Sequence, residues 1–182
     1  MQKSKGFISA VMIVVTLAMV ACASTRTQKS AGEQVDDSVT TGRVKAALIA
    51  DPVTKAHQID VETFKGIVQL NGFVDTAASK ERASEVAKST RGVTSVRNNL
   101  TVKTGDRAGE QVVDDGAITS KVKMALAGDS RTKAHQVNVE THEGNVQLSG
   151  FVNDAEAKST AGELARAVEH VRSVDNQIDV KK

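Results

Sequence analysis

Apolar residues fall into the same sequence of periods twice along this chain. In the second half Ile118, Val122, Ala125 and Leu126 recur at helical spacing, and Thr40, Val44, Ala47 and Leu48 hold the same places in the first half. Each set predicts one amphipathic helix. Asp37 with Ser38, and Asp115, stand ahead as candidate N-caps, with Val35 and Val112 placed to staple each helix start. Asp51-Pro52 and Gly128-Asp129 predict the helix ends, because proline restricts the residue before it and glycine accepts a left-handed cap. Next, Ile59, Val61 and Thr63 alternate with Asp60 and Glu62, and Val68, Leu70, Gly72 and Val74 alternate again after a turn at Lys65-Gly66. This predicts a β-hairpin with one buried face. Gly72 and Gly150, inside the second strand of each hairpin, predict a bulge or a close backbone approach. A bulge shifts the phase, so the face taken by Phe73 and Phe151 stays open. A second helix follows at Ala83, Val86 and Ala87, repeated at Ala161, Leu164, Ala165 and Val168, with Gly92 ending it in the first copy. A last strand runs from Val93 to Val102, and again from Val171 to Val180. The predicted class is α+β: two tandem αββαβ units, each a three-stranded mixed sheet with two helices on one face.

Asp36 to Val102 overlays Asp114 to Val180 without a gap, with about half the positions identical. Each copy is close to the lower size limit for one hydrophobic core without disulfides or metal. With no Trp or Tyr and 4 Phe in the chain, burial rests on Val, Ile, Leu and Ala. Duplication favours binding over catalysis, because a tethered second contact is made at high effective concentration.

The N-terminus places the chain. Lys3 and Lys5 precede an apolar run from Phe7 to Val20 that stops at Ala21-Cys22-Ala23, the order of a bacterial export signal. The run has about 14 residues where a bilayer core needs about 20, which disfavours a spanning anchor. Cys22 is the only cysteine, so no intramolecular disulfide exists. Met19-Val20-Ala21-Cys22 resembles a lipobox, with Met19 where Leu is usual, and Cys22 is then the lipidated N-terminus. Two or three acyl chains, at about 0.8 kcal/mol per buried CH₂, hold such a protein on its membrane. The alternative is cleavage at Ala21-Cys22-Ala23 and release of a soluble periplasmic protein. Ala23 after Cys22 points, by resemblance to sorted lipoproteins, to the outer membrane facing the periplasm. The organisation read from the sequence is signal peptide 1–21, flexible tether 22–35, first domain 36–103, linker 104–113 and second domain 114–182.

Gly66-x-Val68-x-Leu70-x-Gly72-x-Val74 and Val93-x-x-Val96-x-Asn98-x-Leu100-x-Val102, with Val171-x-x-Val174-x-Asn176-x-Ile178-x-Val180 in the second copy, resemble the BON domain of bacterial envelope and osmotic-stress proteins. His170 departs from the pattern, standing where glycine is usual. On this resemblance Gly66, Gly72, Gly144 and Gly150 define the fold. It implies attachment to phospholipid surfaces, support of outer-membrane integrity under osmotic or envelope stress, and no catalytic activity. A chaperone or protein-interaction module of the periplasm, using the sheet face or edge strands, is the alternative. Envelope proteins are possible partners under either reading.

The residues offer little for an enzyme. His57 and His135 repeat, yet each precedes a strand in a Lys-Ala-His-Gln loop and reads as a solvated imidazole. No second repeated His and no further Cys stands at ligand spacing, so neither a metal nor a cofactor is expected. Asp36-Asp37 and Asp114-Asp115 are paired carboxylates whose place ahead of a helix suggests capping. A net charge of +2, with no Trp or Tyr for stacking, excludes a nucleic-acid role. What remains is a locally cationic surface. Arg43, Lys45 and Lys55 cluster in the first copy, and Lys121, Lys123, Arg131 and Lys133 in the second. Lys121 and Met124, one turn apart, set a charge and an apolar group together against anionic lipid, at about 1 kcal/mol per basic group near such a surface. The candidate lipid-binding residues are therefore Lys121, Lys123, Met124, Arg131 and Lys133.

Overall fold

The computed structural model describes residues 31–54, 59–103, 114–132 and 136–181. The first repeat runs α1 (Ala31–Ala50), β1 (Ile59–Phe64), β2 (Ile67–Val74), α2 (Ala77–Ser89), β3 (Ser95–Asn98) and β4 (Thr101–Val102). The second runs α3 (Asp115–Gly128), β5 (Val137–His142), β6 (Asn145–Val152), α4 (Ala155–Arg166), β7 (Ser173–Asn176) and β8 (Asp179–Val180). In each, the central strand pairs antiparallel with its hairpin partner and parallel with the two short final segments, so the sheet is mixed.

The predicted final strand is one strand interrupted by an asparagine. Asn98 Nδ2 donates to the Lys80 carbonyl of α2 at 2.6 Å, and Asn98 Oδ1 accepts from Leu100 N at 3.2 Å. Asn176 repeats this with Lys158 and Ile178. The side chain takes over what the ladder drops, and the kink drives Leu100 and Ile178 fully into the core.

Each repeat has its own core. Val44, Leu48, Val61, Val68, Leu70, Ala83, Ala87 and Leu100 pack in the first, and Ile118, Val122, Leu126, Val139, Val146, Leu148, Ala161, Ala165 and Ile178 in the second. These are the residues the two periods select, so both helices of a repeat cover one sheet face.

Local expectations change at several points. α1 starts at Ala31, inside the stretch expected to be tether, because Glu33 and Gln34 are good helix formers that extend a helix already anchored by its packed turns. Asp37 is consequently within the helix, and Val35 is exposed rather than a staple. In the second repeat the N-cap is Asp114, whose carboxylate accepts from Ala117 N at 3.1 Å, and not Asp115. α3 runs through Gly128 and stops at Asp129, with the Thr132 hydroxyl donating to the Leu126 carbonyl. α4 ends at Arg166, leaving Val168 in the following turn against the core. His170 adopts the left-handed backbone of Gly92, at φ 68° against 97°, so the turn keeps its shape without glycine.

Neither glycine forms the expected bulge: the hairpin registers run one to one from Ile59 on Gly72 and from Val137 on Gly150, so the phase is kept. Val68, Leu70 and Val74 all face the helices, and Gln69, Asn71 and Phe73 face the other way. That second face of each sheet packs against its counterpart. The result is four layers, helices outside and two sheets inside.

Candidate functional site

Two surfaces carry side chains that could act: the junction between the sheets and the outer helix layer of the second repeat. The hairpin turns prepare the first. Lys65 and Gly66 have φ of 50° and 75°, and Glu143 and Gly144 have 50° and 73°, so both turns are two-residue loops with both central residues left-handed. Asp37 accepts from Lys65 N at 2.7 Å and Gly66 N at 2.9 Å, and Asp115 accepts from Glu143 N at 2.7 Å and Gly144 N at 2.8 Å. The repeated aspartates thus clamp the first helix of each repeat to its hairpin. Read locally they are caps; the hairpin they hold is 28 residues away.

Gly72 and Gly150 have φ of 111° and 118°, and the parallel ladder to the last strand lapses beside each. Their N–H groups turn toward the opposite repeat. Gly72 N donates to Gln147 Oε1 at 2.5 Å, and Gly150 N donates to Gln69 Oε1 at 3.1 Å. Gln147 Nε2 donates onward to the Asn99 carbonyl at 2.8 Å, while Gln69 Nε2 donates to Asp179. Gln69 is 0 % and Gln147 2 % exposed, so this reciprocal exchange is dry. A side chain at Gly150 would collide with the Gln136 carbonyl. The four glycines expected to define the fold therefore divide into two jobs, turning the hairpin and joining the halves.

The junction is symmetric in its centre and unequal at its ends. At one end Phe64 and Phe151 stack at 5.3 Å, Lys181 lies 5.7 Å from the Phe64 ring, and Arg97 pairs with Asp179 at 2.6 Å. At the other, His142 replaces Phe64 and sits 5.2 Å from Phe73, while Asp175 and Thr101 stand where Arg97 and Asp179 would be. There a cleft of about 300 Å³ stays open, lined by Phe73, Lys103, His142, Glu143 and Asp175 among others. Phe73 and Phe151 both belong to the junction.

The second surface is the predicted one. Lys121, Lys123 and Met124 are exposed on α3, with Met124 66 % accessible. Lys121 reaches Glu169 at 3.4 Å, a loose pair between exposed groups that contributes little. Arg131 is committed elsewhere: it forks onto Asp129 at 2.6 and 3.0 Å and reaches Glu156 at 3.8 Å. That fork draws the Asp129 carboxyl down to about 2 and raises Arg131. Lys133, like Lys55, His57 and His135, lies outside the described residues, as does Cys22. Burial pushes the Glu140 carboxyl up, with Asp60 adding to the shift and Lys123 opposing it. Among the described residues no group of three or more His, Cys, Asp and Glu is placed to hold a metal, and no helix is long and apolar enough to cross a membrane.

Residues 36–104 and 114–182 each match the BON domain. The chain belongs to the BON-domain family. Its relatives include osmotically-inducible protein Y of Escherichia coli, 39 % identical over 82 % of this chain and 75 % of that protein. A 21 kDa hemolysin of Actinobacillus pleuropneumoniae is 37 % identical over 80 % of this chain and 75 % of its own length. The outer membrane lipoprotein DolP of Haemophilus influenzae is 31 % identical over 80 % of this chain and 75 % of its own. Within this BON chain the buried glutamines were the residues that sequence reasoning missed. Gln69 and Gln147 alternate with core valine and leucine, the signature of a solvent-facing position, and their one available signal was that both copies keep them.

Proposed function

We propose that this protein is a non-catalytic envelope lipoprotein whose BON domains bind anionic phospholipid and support the outer membrane under osmotic or envelope stress. The observation that carries the reading is the exposed face of α3, where Lys121 and Lys123 flank Met124 on an outer layer that the junction leaves uncovered. Such a face adds basic attraction to a small apolar contact. Lipidation at Cys22 supplies the anchor, so the domains need only a weak second contact to lie on the surface. A relative named as an outer membrane lipoprotein supports this placement.

The test is flotation of the protein with liposomes rich in anionic lipid. Recovery should rise with anionic lipid and fall with salt, and Lys121→Glu with Lys123→Glu should abolish the difference. Equal recovery on neutral and anionic vesicles refutes the lipid contact. Mass spectrometry of the mature N-terminus checks the anchor separately, since an unacylated chain lacking Cys22 is the soluble periplasmic form. The chaperone alternative loses the sheet face as a client site, because the two faces bury each other. It retains β1 and β5, the outer strands of the two hairpins.

A further inference from the structure

The first helix carries an apolar seam on the side turned away from its own core. Val35, Val39, Gly42, Ala46 and Ile49 follow one another at spacings of four, three, four and three residues, and Val53 extends the line into the turn past the helix. That alternation averages 3.5 residues and keeps every member on one line facing a partner helix. Val35 is 63 %, Val39 43 %, Ile49 73 % and Val53 43 % exposed, while Thr40, Val44 and Leu48 fill the interior from the other side. Among the described residues the one other large hydrophobic side chain so exposed is Met124.

Duplication supplies the control. The matching positions of the second repeat hold Val113, Ala117, Ser120, Met124, Ala127 and Arg131, and of these Ala117 to Ala127 lie on α3. The fold therefore does not require large aliphatic residues at the places of Val39, Ile49 and Val53, and an exposed apolar line that folding does not need marks a contact site.

Shape and charge narrow the occupant. Gly42 and Ala46 form a waist between aliphatic ends, and nothing lies within 4 Å of a Cβ built at Gly42. A bilayer favours a broad apolar face and gains nothing from a waist, whereas a second helix uses one for close approach. Here Ser38, Arg43 and Lys45 border the seam and keep it narrow, with Arg43 and Lys45 at the level of the waist and the one described acid of the border, Asp36, at its N-terminal end. Arg43 has no ion-pair partner among the described residues, and Lys45 has a 3.4 Å contact with Asp60. Pairing of α1 with a second copy, antiparallel about the level of Val44, sets Val39 on Ile49 and Gly42 on Ala46. It also crowds Arg43 and Lys45 of both copies at the centre, which opposes it.

We propose that the α1 seam docks an amphipathic helix of another protein whose flanks are acidic. Apolar residues of that helix fill the two ends, its surface settles into the Gly42–Ala46 waist, and its Glu or Asp side chains meet Arg43 and Lys45. α1 belongs to the outer layer opposite α3, so a chain held to lipid through α3 keeps the seam free. The docking stands independently of the lipid contact.

The probe is a labelled synthetic helix of three heptads with Leu at both seam positions and Glu at the flanks, where Glu repulsion keeps it from pairing with itself. Its anisotropy is followed on titration with the full chain, expressed and processed in a bacterial host, beside a peptide with Lys in place of each Glu. The Glu-flanked peptide should bind at least tenfold more tightly than the Lys-flanked one. Ile49→Glu and Gly42→Leu should each weaken it at least tenfold, and Ala127→Glu, at the matching place on α3, should leave it unchanged. Gly42→Leu favours the helix, so its loss of binding cannot come from unfolding. No binding, equal affinity for the two peptides, or indifference to Gly42→Leu overturns the proposal. Anionic vesicles released by Ile49→Glu, without peptide binding, reassign the seam to a membrane. A dimer dissolved by Ile49→Glu reassigns it to a second copy.

Discussion

Gln147→Leu isolates the junction from everything else in the molecule. The substitution keeps the size of the side chain and touches neither core, but it removes the acceptor of Gly72 N–H and the donor to the Asn99 carbonyl. Both groups then face a leucine in a space where Gln147 is 2 % exposed. A buried polar group left unpaired costs about 1–3 kcal/mol, so two of them cost roughly 3 kcal/mol once some water is admitted. The cost falls on the contact between the halves and not on either half. Urea unfolding should therefore change from one transition to two, as the domains uncouple and unfold separately. Amide exchange reports the same event at one atom: the Gly72 N–H, protected in the parent, should exchange on the order of 100-fold faster, at about 1.4 kcal/mol per tenfold. A single unshifted transition refutes the reasoning. So does a Gly72 amide that already exchanges freely in the parent protein, because the dry exchange of hydrogen bonds is then not present in solution.

Asp37→Ala removes a buried carboxylate that accepts from the Lys65 and Gly66 amides, and should lower the stability of the first repeat by about 3 kcal/mol, read as a shifted urea midpoint. Gly42→Ala, in an exposed helix interior with open space at the new Cβ, should raise stability by about 1 kcal/mol in the same assay. Asp129 has its carboxyl lowered from 3.8 to about 2, chiefly by the Arg131 side-chain hydrogen bond, then by the Arg131 amide, against burial. A lowered folded pKa means stability fully present above the ordinary value and lost as pH falls through the folded one. Asp129→Asn should accordingly lower the melting temperature at neutral pH, where the parent holds this contribution in full, and make the acid limb shallower between 3.8 and about 2, so that the two profiles converge below the folded value.

The cation surface was legible as residues and only partly as a surface. Lys121 and Met124, one turn apart, share a helix face that spacing predicts, but Lys123 lies toward Glu140 on the other flank, and Arg131 turns back onto Asp129 and Glu156, and Glu156 belongs to another helix. Sequence distance hides such partners. The seam on α1 was hidden differently, since Val35 and Val39 count equally well toward an interior. Their exposure follows from which side of the helix Thr40, Val44 and Leu48 claim.

The periods of the chain determined each repeat unaided. A helix places apolar residues every three or four positions and a strand every second one, so Val44, Leu48, Val68 and Leu70 mark the core without reference to anything distant. Duplication likewise guaranteed that both halves fold alike. The tertiary structure alone decided what the second face of each sheet does. Gln69, Asn71 and Phe73 alternate in a manner equally suited to water or to another sheet, and the choice was made by two left-handed glycines. Gly72 and Gly150 turn an amide out of the sheet, and a buried amide must find an acceptor. The acceptor is the glutamine of the other copy, a partner 75 residues away for Gly72 and 81 for Gly150.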